Sequence, residues 1–397
     1  MVSVCFYFQV HQPFRLSRYQ VFDIGSKRNY FDQEKNSQIL HKVANKCYLP
    51  ANKLMLELLN KHPGFKISYS FSGVFLEQCE LYFPEVLESF KKLVATGQVE
   101  VLAETYYHSL AFLYSEKEFE EQVAKHAEMV KRLFNVVPTV FRNTELIFNN
   151  ALAAKVEKMG YEAVLLEGWD HHLQWRSPNF IYHAVNSQIP LLLKNYRLSD
   201  DVAFRFSNKS WKEHPLSVEK YADWINAVNG NGDTVNLFMD YETFGEHQWE
   251  DTGIFEFLRH LPAAVLANPD NNFKFPSEVA KFEIRGELDI HAPMSWADME
   301  RDISAWTGND MQRSAIHKLY EMEKVVKENG DAKLVDNWRK LTTSDHFYYM
   351  CTKWFSDGDV HKYFNPYESP YEGFIYFMNV IKDIQHKINK EEIIAKA

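Results

Sequence analysis

The chain has 397 residues, 46% of them apolar and 25% charged, with a formal net charge of -10 and a sequence pI of about 5.9. This is the composition of a globular protein with a large core. An acidic chain with scattered Lys and Arg offers no basic stripe, which excludes nucleic acid as the main partner. Aromatic residues reach 15%. Most of them belong to packing, and some are expected to line a groove where flat rings stack on sugar faces. The four cysteines (Cys5, Cys47, Cys79 and Cys351) form no CxxC or zinc-like spacing and read as reduced core thiols of a cytoplasmic protein. No apolar run nears twenty residues, and the first residues enter a strand directly, so no membrane segment or leader is expected.

In chain order, residues 2–9 read as a buried strand that delivers His11-Gln12-Pro13. Apolar spacing near 3.6 predicts a helix over 36–61. A strand is expected at 66–72 and a helix at 73–96, split or kinked at Pro84 and stopped at Gly97. Residues 98–104 form a third strand, with Glu100 and Glu104 on one face and His108 just beyond. Ser115 and Glu118 make a capping box for a helix over 115–134. A short β-branched run from Pro138 then gives way to Arg142, Asn143 and Glu145. After a helix at 149–159, residues 162–172 read as a fifth strand ending in Glu167, Trp169, Asp170, His171 and His172. Residues 173–200 are mixed, 201–206 resemble a sixth strand, and 216–229 a helix. Val235–Met239 is a seventh strand, apolar throughout, which ends in Asp240 and is followed by Glu242, Phe244, Glu246 and His247. A helix near 253–267 follows, and beyond a Pro- and Asn-rich stretch at 270–295 the chain is helical at 296–328, 331–355 and 369–394.

Strands alternating with helices predict an α/β fold with parallel strands. Polar residues recurring at strand ends favour a barrel, where those ends converge on one rim. The expectation is an incomplete seven-stranded parallel (β/α) barrel over 1–270 and a C-terminal helical domain over 271–397 that completes a substrate cleft.

His11, His108, Glu145, Trp169 and Asp240 each follow a predicted strand. Two carboxylates with flanking His, Arg and Trp suit glycoside hydrolysis, which needs one protonated and one ionised carboxyl at the scissile bond. Arg142, three residues before Glu145, suits holding that carboxylate ionised. Each residue also has a plainer reading: Asp240 as a cap, Glu145 as an ion-pair partner of Arg142, the histidines as satisfied core groups. Asp170-His171-His172 leaves a zinc hydrolase open as a rival, although neighbours on a strand point to opposite faces. No GxSxG is present and no Cys lies at a strand end, which argues against a Ser or Cys nucleophile.

The spaced blocks resemble the conserved regions of glycoside hydrolase family 57, the α-amylase and 4-α-glucanotransferase group. His11-Gln12-Pro13 is similar to the first region, and Gly97-Gln98-Val99-Glu100 with His108 to the second. Phe141 to Leu146 resembles the third and Met239 to Gly245 the fourth. Asp302 to Asn309, with Gln312, resembles the fifth. The stretch TSDHFYYMCTKW (343–354) resembles the shorter α-amylase subgroup. The third block departs from the family: Phe141-Arg142-Asn143 stands where several members carry a Trp-containing stretch, which bears on subsite shape. The resemblance implies a seven-stranded barrel, retention of anomeric configuration, an α-glucan or maltooligosaccharide substrate and no cofactor or required metal. It implies Glu145 as nucleophile and Asp240 as acid/base. His11, Gln12, Glu100, His108, Arg142, Trp169, Trp211, Tyr241, Phe244, His247, Asp302, Trp306 and Gln312 are the substrate-binding candidates. Transfer between glucans on the same site, and a silent carbohydrate-binding homologue, remain alternatives; the chain keeps both carboxylates, which argues against the silent one.

Overall fold

The nine residues of β1 (Val2–Val10) are all buried, which explains why the run shows no polar alternation. The computed structural model describes residues 1–26, 28–353, 361 and 365–396. Trp354, which closes the TSDHFYYMCTKW stretch, and Phe355 at the end of the expected 331–355 helix lie outside the described residues. The other strands are β2 (Ile67–Phe71), β3 (Val99–Val101), β4 (Val140–Arg142), β5 (Ala163–Glu167), β6 (Ile181–Ala184), β7 (Leu191–Lys194), β8 (Thr234–Asp240), β9 (Asn271–Phe273) and β10 (Ile284–Leu288).

They form two sheets, β3-β2-β1-β8 with β9 beside the start of β1, and β10-β6-β7-β5-β4. Every pairing is parallel except β6 with β7. The sheets meet at two seams. Ala103, just past β3, bridges Phe141 of β4, with Arg142 N–H donating to the Ala103 carbonyl at 2.8 Å. Past β7, Asn195 N–H donates to the Asn236 carbonyl of β8 at 2.8 Å. The structure therefore shows two sheets joined at their edges in place of one unbroken ladder. Cys5 and Tyr7 of β1, Val140 of β4, Leu165 of β5, Leu192 of β7 and Phe238 of β8 share one apolar cluster, so the inner faces of both sheets pack together. All four cysteines are free and buried.

Beyond β10 the described chain is helical, chiefly Asp310–Glu321, Ala332–Leu341 and Pro370–Lys396. These helices share a second core around Trp306, Trp338, Phe347, Phe377 and Ile381, which also takes in Leu16, Leu110 and Ile147. Those last three follow β1, β3 and β4. The helical segment is thus seated on the C-terminal ends of the strands, where the polar residues gather. Trp338 is wholly enclosed, and its indole N–H donates to the Leu319 carbonyl at 2.8 Å. Trp338→Ala should lower unfolding free energy by about 3–5 kcal/mol through the cavity and the orphaned carbonyl. A loss below about 1 kcal/mol in urea unfolding would show that this core does not hold the segment.

Several sequence expectations need correction. Residues 201–206 are not a strand: Tyr196–Ala203 is a helix, started by the Asn195 side chain accepting from Leu198 N–H and burying Leu198 and Val202 four residues apart. The 36–61 helix is interrupted by a π-turn at Ala44–Tyr48. The fifth strand stops at Glu167, and Asp170–Leu173 is a helical turn. β9 and β10 continue the sheets past residue 270, in runs too short and polar to register as strands. No described helix is long and apolar enough to cross a membrane.

Candidate active site

β4 delivers Arg142, and the chain then folds into a tight turn at Thr144–Leu146. Glu145 sits there with φ 55°, ψ 27°, and Leu146 follows with φ 50°. For residues with a Cβ this left-handed region costs about 1–2 kcal/mol each. The turn is held in place by Leu146 N–H to the Asn143 carbonyl, by Asn143 Nδ2 to the Ile147 carbonyl and by Trp296 N–H to the Glu145 carbonyl. His108, after β3, also has positive φ (50°). Strain held at two neighbouring polar side chains is a mark of functional geometry.

The side chains of these residues meet. His108 Nε2 lies 3.0 Å from Glu145 Oε1, and His108 Nδ1 lies 3.0 Å from Glu104 Oε2. Burial pulls His108 down, but hydrogen bonds to both carboxylates and their charges push it up to about 9. The ring is therefore an imidazolium at neutral pH and donates through both nitrogens. Trp296 Nε1 donates to Glu145 Oε2 at 2.7 Å. Burial alone would raise Glu145; the His108 hydrogen bond and charge, the Arg142 charge and the Trp296 bond outweigh it, so Glu145 is held below its ordinary value.

Asp240, the last residue of β8, behaves oppositely. Burial, and then the negative charge of Glu145, push it up to about 6 against the pull of Arg142, His108 and Lys194. Two carboxyls that influence one another are thus biased to different protonation states, the division that acid-assisted displacement needs.

Around this pair the other predicted residues sort into three groups. His11 stacks on His108, ring centroids 4.0 Å apart, and contacts Ser72 Oγ at 2.6 Å and Asp345 Oδ2 at 2.9 Å. Burial and the His108 charge pull His11 down, against the upward pull of Asp345. Arg142 is wholly buried, its three guanidinium nitrogens lack hydrogen-bond partners, and it lies 5.1 Å from the Trp296 ring centre. Its role toward Glu145 is through charge and through Trp296, with no direct bond. Gln12 stands behind the site, donating to Tyr48 OH at 3.3 Å and accepting from Arg15 at 3.0 Å. Tyr48 in turn donates to Glu242.

A second group is engaged by other partners. Glu100 accepts from the backbone N–H of Ser277 at 3.1 Å, at the start of the short Pro276–Val279 helix; the carboxylate that holds His108 is Glu104. Trp169 packs on His171 at 4.8 Å, and Trp211 meets Trp224 and Arg205. Asp302 is exposed and caps Ser304. His247 is half-buried and pushed down to about 4 by its burial.

The third group is sealed in cores, which removes it from any sugar. Tyr241 and Phe244 are wholly buried among Phe8, Tyr69 and Phe90, with Tyr241 OH donating to Asn52 at 2.8 Å. Trp306 is enclosed in the helical core, and Gln312 spends its amide on the carbonyls of Ala305 and Phe347. Neither reaches a cleft.

The zinc alternative finds no support in the geometry. Asp170 is taken by Tyr196 OH at 2.8 Å and Arg197 at 2.9 Å. Among the described residues no group of three His, Cys, Asp or Glu side chains is placed to hold a metal ion.

Sequence reasoning did not single out Trp296, Asp345, or the Lys194, Asp200 and Arg301 that gather around Glu167 at the ends of β5 and β7. In that set Lys194 lies 3.0 Å from Asp200 and 3.5 Å from Glu167, and Arg301 lies 2.6 Å from Glu167. Asp345 lies within the TSDHFYYMCTKW stretch, which is a signal; Trp296 carried none.

The chain is similar to several known proteins. The family described as Glycosyl hydrolase family 57 matches residues 5–293, ending before the fifth block. A Methanocaldococcus jannaschii protein named "Putative alpha-amylase" is 43% identical over 408 residues, covering 99% of this chain and 86% of its own. Among solved structures, a GH57 branching enzyme from Thermococcus kodakaraensis superposes with a TM-score of 0.64 at 14% identity, over 91% of this chain and 87% of that one. A 4-alpha-glucanotransferase from Thermococcus litoralis gives 0.62 at 17% identity, over 97% of this chain and 60% of the longer enzyme. The α/β fold and these relatives define a glycoside hydrolase. The chain belongs to glycosyl hydrolase family 57.

Proposed function

We propose that the chain cleaves α-1,4-linked glucans by double displacement, with Glu145 as nucleophile and Asp240 as acid/base. The observation that carries this reading is Glu145, at the end of β4, held by His108 and Trp296, with the Asp240 carboxyl at the end of β8 biased upward by burial and by the Glu145 charge. Asp240, protonated, gives its proton to the glycosidic oxygen as the bond to the anomeric carbon breaks. Glu145, ionised, forms a bond to that carbon, and the leaving chain departs as an alcohol. Esterified Glu145 carries no charge, so the second cause of Asp240's elevation disappears. Asp240, now a stronger acid and ionised, takes the proton of the attacking water. The water breaks the ester and Glu145 leaves as carboxylate. The His108 imidazolium and Trp296 N–H hold the departing carboxylate oxygens.

The relatives named for alpha-amylase and 4-alpha-glucanotransferase activities support the substrate class. Product analysis from maltoheptaose tests it. Shorter sugars alone mean hydrolysis, longer ones mean that an acceptor sugar replaces water, and no cleavage of any α-glucan would overturn the reading.

The same assignment fixes a pH profile. kcat/KM requires Asp240 protonated and Glu145 ionised in the free enzyme, so it should fall above an apparent pKa near 6 and fall again on the acid side below Glu145's ordinary range. His108→Gln removes the largest influences that hold Glu145 down and should move the acid limb upward. A profile flat to pH 9 would contradict the role of Asp240.

A further inference from the structure

A cavity of about 520 Å³ opens at the end of the sheets remote from the carboxyl pair. Its walls include Trp175, Arg176, Phe180, Tyr182, Asp233 and Arg285. Asp233 immediately precedes the seven-residue β8, and Asp240 ends it. At about 3.3 Å per residue the seven steps from Asp233 to Asp240 span about 23 Å.

The cavity has the chemistry of a sugar site. Trp175 is 85% exposed, an unusual position for the largest apolar ring, and it lies beside Arg176 (5.2 Å from the ring centre). Arg285 lies 5.6 Å from the Phe180 ring centre. Arg285 also bonds Asp233 at 3.3 Å and pairs with Glu283 at 2.7 Å. Asp233 and Glu283 both pair with Arg285, while Arg176 lies against the Trp175 ring. Open rings beside hydrogen-bonding side chains suit a ligand with an apolar face and many hydroxyls.

The loop bearing the rings is built in. The Asn179 carbonyl accepts from the N–H groups of Asp233 and Thr234 at 2.9 and 3.1 Å, and Asn195 Nδ2 donates to Asn179 Oδ1 at 3.0 Å. Tyr182 OH donates to the Ser177 carbonyl at 2.8 Å. These bonds order the chain from Ser177 to Tyr182, so a ligand that engages Phe180 has little of this loop left to order.

We propose that this cavity is a second, non-catalytic glucan site that holds a distant part of the polymer under attack at the carboxyl pair. Its ligand class rests on the α-glucan reading of the main site. A chain held at two points raises its local concentration at the catalytic end, an advantage that short substrates cannot share.

The test compares the full chain with Trp175→Ala. The readouts are retention by immobilised amylose, KM on soluble starch, and kcat and KM on maltotriose. The expected result is roughly five- to tenfold weaker retention and a matching rise in starch KM, with maltotriose kinetics unchanged. Retention unaltered in the variant overturns the second site, and so does an equal loss on maltotriose, which would put Trp175 in the catalytic groove. If the full chain cleaves no α-glucan yet is retained by amylose through Trp175, the second site stands and the catalytic reading falls.

Discussion

Glu145→Ala should lower turnover of maltooligosaccharides by on the order of 10⁴-fold or more while leaving the protein folded, because the proposed covalent bond is made by this carboxylate. Glu145 is partly exposed and contributes no core packing. Its loss does leave the His108 imidazolium with one carboxylate, Glu104, instead of two. That makes the vacated space a site for a small anion. Azide added with an α-maltosyl fluoride should occupy it, attack the anomeric carbon in a single inversion and yield the β-maltosyl azide. Far-UV and near-UV spectra matching the parent protein would confirm that the loss is chemical. Residual activity above a tenth, or an α-azide product, would remove Glu145 from the nucleophile role.

Asp240→Ala should show a different signature, set by the leaving group. A glucan leaves as an alkoxide unless it is protonated, so its cleavage should fall by about 10²–10⁴-fold. Fluoride needs no such help, and formation of the glycosyl-enzyme from the fluoride should be nearly unaffected. Azide then attacks the intermediate, giving two inversions and the α-azide. Equal losses on both substrates would contradict the proton-transfer role. Asp240→Asn has a stability consequence with a definite sign. The folded value lies above the ordinary 3.8, so the fold favours the protonated form. That contribution is full below about 3.8 and is lost as pH rises through about 6. An amide escapes the loss, so the variant should gain on the order of 1–3 kcal/mol relative to the parent at pH 8, and little at pH 3.5. Urea midpoints at the two pH values check it.

The sequence pointed to the two poles of the candidate site because each follows a strand too apolar to misread. β1 and β8 lie side by side in register, Gln9 against Asp240, and both are uniformly buried up to their polar ends. Glu145 was equally visible at the end of a β-branched run. What the sequence hid depends on approach between distant segments. Trp296 reaches Glu145 across 151 positions and Asp345 reaches His11 across 334, from loops and helices with no pattern of their own. Block membership also proved a poor guide to exposure. Gln312 and Trp306 lie within or beside a motif that resembles a sugar-binding region, yet local packing seals both: the Gln312 amide is satisfied by two carbonyls, and Trp306 fills the helical core. Glu100 is a site candidate through the block Gly97-Gln98-Val99-Glu100 and the strand face it shares with Glu104, a face that equally allows pairing elsewhere. The ladder ends at Val101, and beyond it the alternation of a pleated strand no longer says where Glu104 points. The helix at Tyr196–Ala203 was misread for a related reason, since a six-residue window cannot separate a period of two from one of 3.6.

The anomeric form of the first sugar released decides the mechanism. Maltopentaose cleavage followed by proton NMR within the first minutes, before mutarotation, should show the new reducing end as the α-anomer. The β-anomer appearing first would mean direct attack by water, with no bond ever made to Glu145.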